Sequence, residues 1–181
     1  MTHPKHEVIQ DFEKILGNPI GLTRKSVEPV IKALNKDLAT TYSLYHQYKK
    51  HHWLVVGPQF RDLHLFLDDQ AKGALLSADL LAERVTALGG VPLSSPARQE
   101  QEAAFTFEEE GSFTIRQSLE HDMEAERQLI LLLRRHVQLA DKHGDPGSAH
   151  LLRTILLRHE DQAHHIEHFL GEDTLEAGGP T

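Results

Sequence analysis

Four stretches of this chain carry apolar residues at helical spacing, and the lengths of the breaks between them limit how the stretches can pack. The first runs from Ser26, an N-cap residue type followed by Glu28 and Pro29, through Ile31, Leu34, Leu38 and Tyr45 to about Trp53. VVGP interrupts it, and Pro58 suits the first turn of a second helix carrying Phe60, Leu63, Leu67, Leu75, Leu76, Leu80, Leu81 and Leu88. After LGGVP, residues 91 to about 112 form a long connection, with Pro92 and Pro96 near its start and room for a short helix in ARQEQEAAF. A third helix is predicted from about Thr114 to Asp141, with Ile115, Leu119, Met123, Ile130, Leu133, Val137 and Ala140 on one side. A fourth, after KHGDPG, runs from about Pro146 to Leu170 through Leu152, Leu156, Ala163 and Ile166. Short breaks join antiparallel neighbours, whereas a long one crosses over between parallel helices. The pattern predicts an all-α fold: a four-helix bundle over 25–170 with one long crossover, an extended N-terminal tail over 1–24 and an acidic flexible tail over 171–181.

Composition narrows the chemistry. At 181 residues one domain can bury its own core without a metal or disulfide. The absence of cysteine excludes disulfides, thiolate zinc sites, iron-sulfur clusters and thiol catalysis. Fourteen histidines are the anomaly. The first residues lack the apolar core of a secretory signal, and the longest aliphatic run, Leu129 to Leu133, is far below the roughly 20 residues that span a bilayer. A soluble, cytoplasmic protein without a membrane partner is therefore expected.

On the second helix, His64 and Asp68 stand four residues apart, as do Asp79 and Glu83, so each pair projects from one face. Carboxylates and imidazoles are the ligands of hard and borderline metals. Asp68 and Asp79, however, lie about 16 Å apart along the helix axis, whereas two metals of one site stand about 4 Å apart. If two copies of the helix pack antiparallel about a twofold axis, the midpoint falls near Gly73 and Ala74, small residues that permit close approach. His64 and Asp68 of one copy then face Asp79 and Glu83 of the other. His52, shortly before the VVGP turn, joins them from the first helix. The competing reading pairs Asp79 and Glu83 with Arg84 or other surface cations.

The stretch HHWLVVGPQFRDLHLFLDD, followed by DLLAERVTALGG and Pro92, resembles the signature of the Dps family, the mini-ferritins or DNA-binding proteins from starved cells. The likeness covers the first two helices and continues more weakly over the third and fourth. It implies a ferritin-like bundle assembled into a hollow dodecamer of tetrahedral symmetry, with di-iron ferroxidase centres shared between twofold-related subunits. His52, His64 and Asp68 match the ligands of one subunit, Asp79 and Glu83 those supplied across the interface, and Trp53 the tryptophan beside the centre. The implied function is oxidation of Fe(II), preferentially by hydrogen peroxide and more slowly by oxygen, with storage of ferric mineral and protection against oxidative stress.

Two further groups stand apart from that signature. Asp161, His164, His165 and His168 form a stripe on the fourth helix, with Glu120, His121 and Glu124 on the third helix as neighbours, and this could be an extra site for zinc or iron. His159 falls on the apolar stripe and is expected as a core histidine. Asp141 and Asp145 flank the turn before the fourth helix, where related cages place acids around threefold pores; the competing reading is ordinary capping.

Two other functions are available to such a chain. An intrachain di-iron oxidase wants a Glu-x-x-His element on each of two core helices, and the second helix has none. A nucleoid protein that compacts and shields DNA needs a cationic tail. Here Lys5, Lys14 and Arg24 are balanced by Glu7, Asp11 and Glu13, the last eleven residues hold three acids and no base, and the chain carries a net charge of -8. Because non-specific DNA affinity comes mainly from Lys and Arg contacts to phosphate and weakens steeply with salt, gel-shift titrations at roughly 150 mM salt should show no retardation that depends on residues 1–24. Tight tail-dependent binding would contradict this reading of the charges.

Overall fold

The computed structural model describes residues 7–171, which form five helices and no strand. They are α1 (Arg24–Leu54), α2 (Phe60–Ala87), α3 (Pro96–Glu102), α4 (Ile115–Lys142) and α5 (Pro146–Leu170). α1 packs on α2, α4 on α5 and α1 on α4, while α3 is the short helix of the crossover and lies against α1. Leu34, Leu38, Leu44, Leu81, Leu129 and Leu133 are among the side chains that fill the centre.

The caps set the helix limits. Thr23, not Ser26, caps α1: its hydroxyl accepts from the Ser26 amide at 3.3 Å, so the helix starts earlier and encloses Pro29. Pro58 lies in the turn that precedes α2 rather than in its first turn. Thr114 and Gln117 form a reciprocal capping box on α4, and the Asp145 carboxylate accepts from the Ser148 amide at 2.9 Å to start α5. Residues 10–23 lie in part against the bundle, while Val8 and Ile9 are exposed. The Leu16 amide donates to the Gly89 carbonyl at 2.9 Å, Ile15 and Leu22 pack on the core, and the Arg98 guanidinium stacks over Phe12. Gly89 has φ +86°, and a Cβ there would strike the Leu16 carbonyl, so both its conformation and this contact require glycine. Residues 1–6, and all of the expected C-terminal tail except Gly171, lie outside the described residues.

Polar residues tie the helices together from inside. Asp122 and Glu126, one turn apart on α4, are fully buried. Asp122 takes His51 Nδ1 at 2.9 Å and Gln47 Nε2 at 3.1 Å from α1; Glu126 takes the Tyr48 hydroxyl at 2.6 Å from α1 and His159 Nδ1 at 2.9 Å from α5. Asp37 on α1 takes His136 Nδ1 from α4 at 2.8 Å. His159 is a core histidine with one nitrogen bonded; its Nε2 has no partner among the described residues. From the crossover, Glu108 reaches in and accepts from Lys50 Nζ at 2.6 Å, His51 Nε2 at 2.9 Å and His121 Nδ1 at 2.6 Å.

His51 thus faces carboxylates through both ring nitrogens. Burial alone would lower its pKa, but Asp122 and Glu108 outweigh burial and raise it above the usual 6.5. Burial would raise Glu108, but Lys50, His121 and His51 outweigh burial and hold it below its usual 4.5. The sign of the pH dependence follows. The stabilisation through Glu108 is present above its unfolded value and lost as pH falls through the lower folded one. The stabilisation through His51 is complete below its unfolded value and lost as pH rises through the higher folded one. Both are intact between 4.5 and 6.5. Hydrogen-exchange protection of residues 103–114, corrected for intrinsic rates, should peak in that window and fall roughly tenfold on either side, the worth of one charged hydrogen bond. His51→Gln should remove the alkaline decline.

Candidate metal centre

The centre is built on the seam where α1 ends and α2 begins. Residues 55–59 turn the chain back, which brings His52, in the last turn of α1, beside His64 on α2. The rings stack with centroids 3.8 Å apart and planes at 24°. Each Nδ1 meets the other residue's backbone carbonyl, His52 Nδ1 to His64 O at 2.8 Å and His64 Nδ1 to His52 O at 2.9 Å. A carbonyl can only accept, so both Nδ1 atoms carry hydrogen, and in the neutral rings both Nε2 lone pairs are free for a metal. Such a bond from backbone to imidazole is how a ligating histidine is oriented.

Asp68, the third candidate of this half, lies one turn beyond His64. Its Oδ1 lies 4.0 Å from His52 Nε2. Lys49 Nζ approaches Oδ1 at 2.9 Å and Lys72 Nζ approaches Oδ2 at 2.8 Å. The bonds from Lys72 and then Lys49 hold the Asp68 carboxyl well below the usual carboxylate range, so it stays ionised.

The other two residues stand elsewhere. Asp79 and Glu83 are exposed on the same outward side of α2, about 16 and 22 Å from Asp68 along the axis, and among the described residues neither forms an ion pair. Arg84, the cation that might have claimed them, turns to Asp145 at 2.7 Å. Among the described residues no three histidines or acids of one chain are placed to hold a metal ion. Nor do the small residues at the α2 midpoint mark the outward side. A Cβ on Gly73 would meet the Gln162 side chain of α5, and Ala74 is buried in the core, because both fall on the side of α2 turned to its own bundle. Leu75 and Leu76, expected in the core, are instead 42% and 50% exposed, with Phe60, Leu65 and Trp53 also open.

The remaining candidates separate. His164 Nε2 and His168 Nε2 are 3.1 Å apart, close to the spacing of two ligands on one ion; Asp161 and His165 are exposed beside them. Their expected neighbours turn away, His121 to Glu108 and Glu124 to Gln128 at 2.6 Å. Asp145 is 1% exposed, with its carboxylate committed to Arg84 and Ser148 in the capping role, and Asp141 pairs with Arg153. The sequence reading missed the buried acids Asp37, Asp122 and Glu126. A signal existed: Asp122 and Glu126 continue the spacing of Leu119, Leu129 and Leu133.

Comparisons with known proteins agree on the kind of fold. The family model of the ferritin-like domain matches residues 31–175. A DNA protection during starvation protein of Halobacterium salinarum is 52% identical over 152 residues, 84% of either chain. The crystal structure of an archaeal Dps homologue from that organism superposes with a TM-score of 0.91 at 46% identity, covering 94% of this chain and 96% of the other. A Dps protein from Vibrio cholerae, described as a member of a superfamily of ferritin-like diiron-carboxylate proteins, gives 0.81 at 25% identity over 85% and 96%.

The hydrogen bonds at the seam fix the ring tautomers. In ¹⁵N spectra of histidine-labelled, metal-free protein at pH 8, His52 and His64 should show protonated Nδ1 and unprotonated Nε2, and Zn(II) should shift both Nε2 resonances. Protonated Nε2 in either ring would remove it as a ligand in this orientation.

Proposed function

This chain belongs to the Dps family of ferritin-like proteins, and from that membership we propose that it is a mini-ferritin whose ferroxidase centres lie between subunits. The family associates it in general terms with iron storage and DNA protection. In the specific reading, twelve copies of the 20.5 kDa chain form a hollow cage of about 246 kDa in the cytoplasm. His52, His64 and Asp68 of one copy, with Asp79 and Glu83 of a twofold-related copy, bind two ferrous ions. One observation carries this reading: the two half-sets share the outward side of α2 at equal distances from its midpoint, so an antiparallel second copy brings them together. The exposed Leu65, Leu75 and Leu76 on that side are the apolar surface such a copy would cover.

Fe(II) is the substrate. Each ferrous ion gives up one electron, and the two together cleave the O–O bond of one hydrogen peroxide to the level of water, which avoids release of a hydroxyl radical. Peroxide as the preferred oxidant, with oxygen slower, follows from the family resemblance. The chain's own residues supply neutral imidazole nitrogens and ionised carboxylates while leaving positions open for the oxidant. Ferric product then passes to the cavity as mineral, which protects against oxidative stress. Asp141 remains the proposed acid of a threefold pore, and the paired nitrogens of His164 and His168 a proposed accessory site for zinc or iron. DNA shielding, the function in the name of the Halobacterium relative, is the second reading. The charge balance of the N-terminal residues favours iron chemistry over it.

A site divided between chains can be restored by mixing two inactive variants. One carries His52→Ala, His64→Ala and Asp68→Ala, the other Asp79→Ala and Glu83→Ala, and each alone should lose rapid peroxide-driven iron oxidation. With random pairing roughly half of the dimers are mixed, and one of the two centres in each is whole, so co-expression should return about a quarter of wild-type activity. No recovery in cages verified as mixed would rule out the shared centre.

A further inference from the structure

His164 and His168 stand one turn apart near the end of α5, and their Nε2 atoms are 3.1 Å apart with the ring planes at 64°. At metal–nitrogen bonds of about 2.0–2.1 Å, two ligands of one ion lie roughly 2.9 Å apart at a right angle and roughly 3.4 Å apart at a tetrahedral one. The observed spacing falls between these limits, so both nitrogens can reach one ion without a change of backbone. Glu167 Oε2 is 3.6 Å from His164 Nδ1, too long for a hydrogen bond but near enough to favour a proton there and a lone pair on Nε2. The turn that carries the pair is held from two sides. Phe169 packs on Phe66 of α2 with centroids 4.8 Å apart, and the Leu170 carbonyl accepts from Arg116 Nη1 of α4 at 3.3 Å. The His165 ring centroid is 6.3 Å from that of His164, against 4.4 Å for His168. Among the described residues no third histidine or acid completes a group with the two.

We infer that His164 and His168 form a two-nitrogen chelate for divalent ions of the zinc and copper type, in preference to Fe(II), and that the bound ion clamps the last turns of α5. This deepens the accessory-site reading above by fixing its metal class and its action, and it does not depend on the shared centre. The class follows from the donors. The proposed iron centre combines imidazoles with three carboxylates, whereas the pair on α5 offers imidazole alone. Fe(II) stands near the weak end of the general affinity order of divalent metals, and a site without carboxylate charge has nothing to offset that. The clamp follows from the spacing. Nitrogens at i and i+4 converge only while the turn between them is helical, so an ion held by both binds the helical end and not its frayed form. Removing one imidazole leaves a single contact and forfeits the gain from linking two.

Hydrogen exchange read by mass spectrometry on the full-length protein tests this at residues 165–170, each variant being compared with and without metal. In wild type, protection there should rise about tenfold at a free Zn(II) concentration ten times the dissociation constant. His168→Ala, a change at an exposed position, should abolish the rise, whereas Asp161→Ala and His165→Ala should keep it. Fe(II) at the same concentration, with oxygen excluded, should produce no comparable rise. No rise in wild type would overturn the inference and leave the two rings joined by a hydrogen bond only. A full rise in His168→Ala, or its loss in Asp161→Ala, would overturn the two-nitrogen assignment, and Fe(II) matching Zn(II) would overturn the metal class. Asp79→Ala with Glu83→Ala separates this site from the proposed iron centre: the rise should persist in that protein, and its disappearance would mean that zinc acts from the centre and not from α5.

Discussion

Along α2 a rise of about 1.5 Å per residue keeps Asp68 and Asp79 some 16 Å apart however the rest of the chain packs. A continuous helix of 28 residues cannot bring its own two half-sets together, so further ligands must come from another helix. α1 supplies one because the turn at residues 55–59 sets it antiparallel to α2, with His52 beside His64. It cannot supply the carboxylates, since of its two acids Asp37 is committed to His136 in the core and Glu28 pairs with Lys32 near the other end of the helix. In the proposed assembly a second copy of α2, running in the opposite direction, would provide what one chain lacks.

The position of His52 depends in turn on buried charge. Asp122, Glu126 and Asp37 each give up hydration, and each is compensated by groups on a different helix. A slip of α1 by one turn against α4 would take His51 and Gln47 from Asp122 and the Tyr48 hydroxyl from Glu126, at about 3–5 kcal/mol for each broken buried pair. These bonds therefore fix register more than they add stability. His51 and His52 share the result: neighbours in sequence, they take different partners, one locked between Asp122 and Glu108 and the other held against His64 on α2.

Much of this was legible in the sequence because it depends on local rules. Apolar spacing, Gly and Pro breaks and one long connection suffice for four long helices and the crossover, and i,i+4 spacing suffices to put each ligand pair on one face of α2. The rest depends on which way a face turns. Leu75 and Leu76 read as core because they are leucines, although the helix directs them outward. Asp122 and Glu126 were passed over because they are acids, although they occupy the inward positions between Leu119, Leu129 and Leu133. Gly73 was assigned to the crossing by its place in the sequence, whereas its angle about the helix turns it to Gln162. Hydrophobicity alone misplaces the residues that break its pattern, and here those are the buried network and the outward apolar surface.

The distribution of paired and unpaired charge separates an iron protein from a DNA binder more sharply than net charge does. Charges on a protein surface act over a Debye length of about 8 Å at physiological salt, so local balance governs what each region attracts. Many of the basic side chains are already engaged within the chain: Lys49 and Lys72 with Asp68, Lys50 with Glu108, Arg84 with Asp145, Arg134 with Glu160 and Arg153 with Asp141. Those lysines and arginines have an internal acid competing with any phosphate for their charge. The same pairing neutralises Asp145 and Asp141, yet among the described residues it leaves Asp79 and Glu83 without a cation on the outward side of α2. Negative charge thus remains on the outward side of α2, where the proposed facing copy would place its imidazole nitrogens.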